Sequence, residues 1–146
     1  MTSFILQPLP AGDVDARAAG ARRRIADDRS PCRRCLRDAA PGDPLVLASY
    51  DPFLMRSPYA GEGPVFVHAE WCEPFDAVPG AVSEQVAGRV LSLRAYDGEA
   101  MMTEAEVIEG ERLAERASAL LADEGVAFLH AHFAGAGCFA FRVDRA

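Results

Sequence analysis

Two short stretches of this chain gather most of its reactive side chains. Pro31-Cys32-Arg33-Arg34-Cys35-Leu36 holds two thiols at C-x-x-C spacing, and Gly63 to Cys72 (GPVFVHAEWC) holds an imidazole, a carboxylate and a third thiol at His68, Glu70 and Cys72. Two thiolates at that spacing can grip one zinc ion, and a histidine with a further cysteine can complete a tetrahedron. Four protein ligands would close such a site, so a structural zinc is the sharpest reading of Cys32, Cys35, His68 and Cys72. The spacing sets a condition. On an extended strand His68 and Cys72 would stand about 13 Å apart, at a rise of roughly 3.3 Å per residue. The ligands converge only if the strand ends or bends near Glu70, and Pro74 favours an ending shortly after Cys72.

The same residue types allow other chemistry. Arg33 and Arg34 lie between the cysteines, with Arg29 and Arg37 near, and positive charge favours a thiolate. The pair therefore also reads as a thiol redox centre, although a redox C-x-x-C usually opens a helix after a strand, and here Pro31 precedes a loop. Cys138, with His130 or His132 as base, offers a nucleophile beside a glycine-rich turn, the candidates for hydrolytic or transfer catalysis. Arg33, Arg34 and Arg37 offer guanidinium groups to a small anion or an acidic protein partner. Against all of these stands a plain alternative: free cysteines pack as small hydrophobes, and strand histidines satisfy hydrogen bonds.

Composition narrows the class. With 146 residues, half of them apolar and a quarter charged, the chain is expected to fold as one soluble domain over residues 1–146. No apolar run reaches the roughly 18 to 20 residues that cross a bilayer, and MTSFILQPLP lacks a basic n-region, so a cytoplasmic, reducing location without a membrane or a disulfide framework is expected. All 15 basic residues are arginine and the net charge is −7. Eight arginines between Arg17 and Arg37 face only Asp27 and Asp28, a local +6 that leaves −13 for the remainder. An acidic surface disfavours nucleic acid, which needs a broad basic face.

The elements that must position these groups follow from periodicity. Ser3 to Leu6 reads as an edge strand ended by proline, Asp13 to Ala21 as a short helix, Ala21 to Ala26 as an exposed strand, and Pro31 to Asp43 as irregular. Leu45 to Tyr50 reads as a buried strand and Asp51 to Gly63 as a long loop. In the strand Val65 to Trp71, Val65, Val67, Ala69 and Trp71 share the core face, and His68, Glu70 and Cys72 the other. A loop follows over Glu73 to Gly80. Asp97-Gly98 suits a two-residue type I′ turn between strands Arg89 to Tyr96 and Glu99 to Ile108, while Thr103-x-x-Glu106 offers a competing helix start. Leu113, Ala117, Leu120 and Leu121 predict a helix over Glu111 to Glu124 with Gly125 at C′. Val126 to Phe133 and Cys138 to Val143 form a last hairpin. Pairing Leu129, Ala131 and Phe133 with Phe139, Phe141 and Val143 on one face leaves His130, His132, Cys138 and Arg142 on the other and keeps the imidazoles out of the core. The fold class is α+β, a mainly antiparallel or mixed sheet with one main C-terminal helix packed on it.

Several segments in fixed order carry a resemblance. Ala21 to Asp27, the turn Asp38 to Asp43 before an apolar strand, Ser57-Pro-Tyr59, Gly63-Pro-Val-Phe66, Leu93-Arg-Ala-Tyr-Asp97 and the ending Ala136 to Arg145 resemble a bacterial family catalogued as domain of unknown function 1203. The resemblance covers nearly the whole chain and implies a single-domain protein, without implying a reaction.

Overall fold

Among the described residues, alternation of apolar and polar residues produces eight strands, and every pairing between them is antiparallel. The structure is a computed structural model and describes residues 2–10, 12, 14, 17 and 19–146. The strands are β1 Phe4–Gln7, β2 Arg22–Ile25, β3 Pro44–Tyr50, β4 Gly63–His68, β5 Val90–Tyr96, β6 Met102–Glu109, β7 Phe128–Phe133 and β8 Phe139–Arg145. Five make one sheet in the order β1-β8-β7-β5-β6, and three make a second in the order β2-β3-β4. The short helix α1 Glu84–Ala87 precedes β5, and Ser83 caps it by accepting the Val86 N–H. A 3-10 turn, Gly110–Arg112, leads into α2 Leu113–Leu121. The expected α+β class is correct, with the long helix near the C-terminal end. Of the helix expected over 13–21, residues 13, 15, 16 and 18 lie outside the described residues, and 14, 17 and 19–21 form bends, turns and irregular chain rather than helix.

The five-stranded sheet is covered on both faces. Leu113, Ala117, Leu120 and Leu121 of α2 bury against Leu91, Leu93, Leu129, Ala131, Phe141 and Val143. Arg116 joins α2 to β6 through two bonds to Glu106, of 2.7 and 3.2 Å. Arg145 donates to the Leu121 carbonyl, which the helix end leaves without a helical partner, and to the Asp123 carbonyl just beyond it. Gly110 lies so close to α1 that a Cβ would run into the carbonyl oxygens of Val86 and Arg89. On the other face Phe139 packs with Val46, Ala48, Val65 and Val67 of the second sheet, as the alternation in β3 and β4 requires.

Local departures have physical causes. The β5–β6 connection is a five-residue loop rather than a two-residue turn, because the Asp97 carboxylate accepts the N–H groups of Glu99 and Met101 and Ala100 takes the left-handed conformation, φ 59°. Thr103 lies in β6, so the competing helix does not form. The main helix stops at Leu121, and the Asp123 carboxylate, accepting the Gly125 N–H, turns the chain without a left-handed glycine at 125.

The β7–β8 register matches the expected pairing of Leu129 with Val143 and Ala131 with Phe141, and then shifts. Ala140 is the extra residue, so Phe139 lies opposite His132 rather than with Phe141. The expectation that this face would spare the imidazoles is overturned. His130 is 0% exposed, because Phe53 from the loop after β3 and Phe139 close over it. Trp71 is corrected in the opposite sense: β4 ends at His68, and the indole is 83% exposed instead of reaching the core.

Candidate metal centre

The outer edge of β4 positions the centre. That edge has no strand beside it, and the loop 31–37 docks there: the Arg33 N–H donates to the Phe66 carbonyl at 3.0 Å, and the His68 N–H donates to the Cys32 sulfur at 3.4 Å. The loop is tightly wound. The Cys32 carbonyl accepts the Leu36 N–H, the Cys32 N–H donates to the Arg37 carbonyl, and Leu36 adopts φ 54°. That left-handed backbone costs about 1–2 kcal/mol, while burial of the Leu36 side chain in the main core stabilises by about 1.5–3 kcal/mol. The winding thereby turns both sulfurs inwards. After His68 the chain bends at Ala69 and Glu70, which returns Cys72 towards the loop and meets the condition the spacing set.

The four ligand atoms of Cys32, Cys35, His68 and Cys72 all lie within 4.8 Å of one another. The Cys32 and Cys72 sulfurs are 3.9 Å apart, and the Cys35 sulfur is 3.8 Å from Nδ1 of His68. A tetrahedral zinc with bonds of about 2.3 Å to sulfur and 2.0–2.1 Å to nitrogen puts neighbouring donors about 3.5–3.8 Å apart. The group therefore has the dimensions of a metal-binding cluster. Nε2 of His68 faces Oδ2 of Asp43 at 3.4 Å, the carboxylate that would orient the ring and leave Nδ1 for a metal.

Protonation in the cluster is uneven. The neighbouring Cys35 thiol and the backbone N–H groups of Cys35, His68 and Arg34 favour a negative charge on the Cys32 sulfur, and against the opposing effect of burial they draw the Cys32 thiol well below its usual range. Cys35, beside that charge and itself buried, is pushed well up. Burial and the nearby Cys32 charge raise Cys72 as well. One thiolate is thus already favoured, and the others would lose their protons if a cation replaced them. A polar cavity of about 380 Å³, lined in part by Asp43, His68, Glu70 and Cys72, opens beside the cluster, with the exposed Trp71 on its wall.

The remaining candidates lie elsewhere. Arg33 is only 1% exposed and donates to the carbonyls of Phe139 and Pro31 and to the Cys138 sulfur. Arg34 and Arg37 donate to the His68 and Glu73 carbonyls, so the three arginines fasten the cluster loop to its surroundings at separate points. Cys138 and His132 line one cavity of about 370 Å³. Nδ1 of His132 is 2.9 Å from the Gly137 carbonyl, and Nε2 is 3.4 Å from Arg94, an arrangement for a neutral ring that donates from Nδ1. Burial lowers its pKa. His130 sits deeper, and among the described residues neither of its ring nitrogens has a hydrogen-bond partner. Asp43 was missed in the sequence. The turn Ala40 to Asp43 was legible, but not that its last carboxylate would face an imidazole across the β3–β4 pair.

The family model described as protein of unknown function (DUF1203) matches residues 29–145. The chain belongs to that family. The DUF1203 match takes in all four cluster residues and Asp43. No match was found among curated proteins or among solved structures. Among the described residues of this DUF1203 chain, no helix is long and apolar enough to cross a membrane.

Proposed function

We propose that the chain binds one zinc ion through Cys32, Cys35, His68 and Cys72, and that the ion is structural. The observation that carries this is the convergence of four donor atoms, from a loop, a strand end and the bend after it, to within 4.8 Å. Three thiolates and one imidazole suit zinc in tetrahedral geometry. With every position held by protein, the ion would cross-link segments that are 40 residues apart between Cys32 and Cys72. Arg34 and Arg37, donating around the cluster, supply positive charge beside three thiolates. All four cysteines are free, which fits a reducing compartment such as the cytoplasm. A thiol redox role for Cys32 and Cys35 draws less support, because exchange needs an accessible sulfur and both are buried.

The test is native mass and metal analysis of protein purified anaerobically without a metal-affinity tag. One zinc per chain is expected, and Cys35→Ser should lose it and lower the melting temperature by several degrees. Metal content unchanged by Cys35→Ser, or a metal-free chain whose Cys32 and Cys35 oxidise readily to a disulfide, would overturn the proposal.

A further inference from the structure

A cavity of about 560 Å³ lies between the segment 29–33, Leu47 of β3 with Pro64 and Phe66 of β4, and the β7–β8 turn. Its volume is in the range of small-molecule sites. Leu47, Phe66, Val90 and Phe133 give it apolar walls, while Arg29, Arg33 and Arg89 bring three guanidinium groups to it, and no aspartate or glutamate lines it among the described residues.

The charges there are not balanced. Arg89 pairs with Asp38 at 2.5 Å. Arg33 is buried with two carbonyls and a thiol as partners and no carboxylate. Arg29 is exposed and has no ion-pair partner among the described residues. Arg33 and Arg89 also both stand over the Phe133 ring, at 5.0 and 5.1 Å, so one aromatic ring contacts two cations. Burying a guanidinium is costly, and the groups that offset the charge of Arg33 are the Cys138 and Cys32 sulfurs rather than a carboxylate, for which the cavity has room.

We propose that this cavity is a binding site for a small organic carboxylate with an aromatic or aliphatic body. The carboxylate sits against the guanidinium groups, for which a planar two-oxygen anion is the matched acceptor. The body lies along Phe66, Val90 and Phe133. The cavity is lined by none of the four cluster ligands, although Arg33 lies between Cys32 and Cys35 on the loop that carries them.

Calorimetric titration of the full chain with 4-phenylbutyrate tests this, with the uncharged 4-phenylbutyramide and inorganic phosphate as controls. Saturable binding of the carboxylate is expected, about tenfold or more tighter than the amide, since a charge-assisted bond is lost, and tighter than phosphate, which cannot use the apolar walls. Arg29→Gln, a surface change, should weaken carboxylate binding several-fold without moving the melting temperature. Ala134→Phe, which fills the cavity from the turn, should abolish it. Equal affinity for acid and amide, equal affinity for phosphate, insensitivity to both variants, or no saturable binding by the folded chain would each overturn the proposal.

Discussion

Replacing His130 by leucine removes a protonation that the fold opposes. The imidazole is ringed by Phe53, Tyr96, Phe128 and Phe139 with centroids 4.8 to 5.2 Å away. Burial, reinforced by the positive charges of His132, Arg142 and Arg94, draws its pKa from 6.5 down to about 3. Between those values the unfolded chain binds a proton that the folded chain does not, so stability falls as the pH falls below 6.5. At pH 4 the gap is about 2.5 pH units, or about 3 kcal/mol at roughly 1.4 kcal/mol per unit. Leucine has nearly the volume of histidine and does not titrate, so any packing change it brings is the same at both pH values. The cluster ligands titrate alike in both chains and cancel, and the charge of His132 enters only as one of the contributions that depress His130. The assay is urea unfolding of wild type and His130→Leu at pH 7 and pH 4. The stability difference should shift by about 3 kcal/mol in favour of the variant on going to pH 4. A difference that stays the same at both pH values would refute the account of His130 as a buried, unprotonated ring.

Two further changes probe the centre and the frame around it. Asp43→Asn keeps a side chain of the same shape but removes the carboxylate that faces Nε2 of His68; zinc affinity, read by chelator competition, should fall about 10–100-fold, and unchanged affinity would remove Asp43 from the centre. Gly110→Ala forces a methyl against the Val86 and Arg89 carbonyls and should cost about 1–3 kcal/mol in urea unfolding, an effect that would be absent if α1 could move aside freely.

What could be read from the chain alone was whatever depends on near neighbours. Alternation placed Val65 and Val67 inwards and His68 outwards, and the leucine spacing placed α2, because each pattern is set by the geometry of one element. The four cluster ligands were also legible as types, but their convergence depended on a bend at Ala69 and Glu70 that only Pro74 hinted at. The burial of His130 was hidden for a different reason. Its strand alternates as expected, yet which face is covered depends on Phe53, from a loop far away in sequence, and on a bulge at Ala140 that turns Phe139 onto the imidazole side. Asp97 misled through its own side chain, whose bonds to Glu99 and Met101 lengthen a turn that the Asp-Gly pair alone would have made short.

The docking of the cysteine loop on β4 also bears on how the chain avoids self-association. Two sheets have four outer edges, and each unpaired edge is a template for another strand. β1 is short and followed by Pro8 and Pro10, β2 carries three exposed arginines, and β6 carries Glu104, Glu106 and Glu109. The edge of β4, Gly-Pro-Val-Phe-Val-His, has Pro64 near its start but no acidic or arginine guard along the rest of its length. Its cover is the loop that donates from Arg33 to Phe66 and accepts from His68 at Cys32. Reagents that displace those sulfurs would free an apolar strand edge, so loss of the cluster would be read first as aggregation rather than as unfolding.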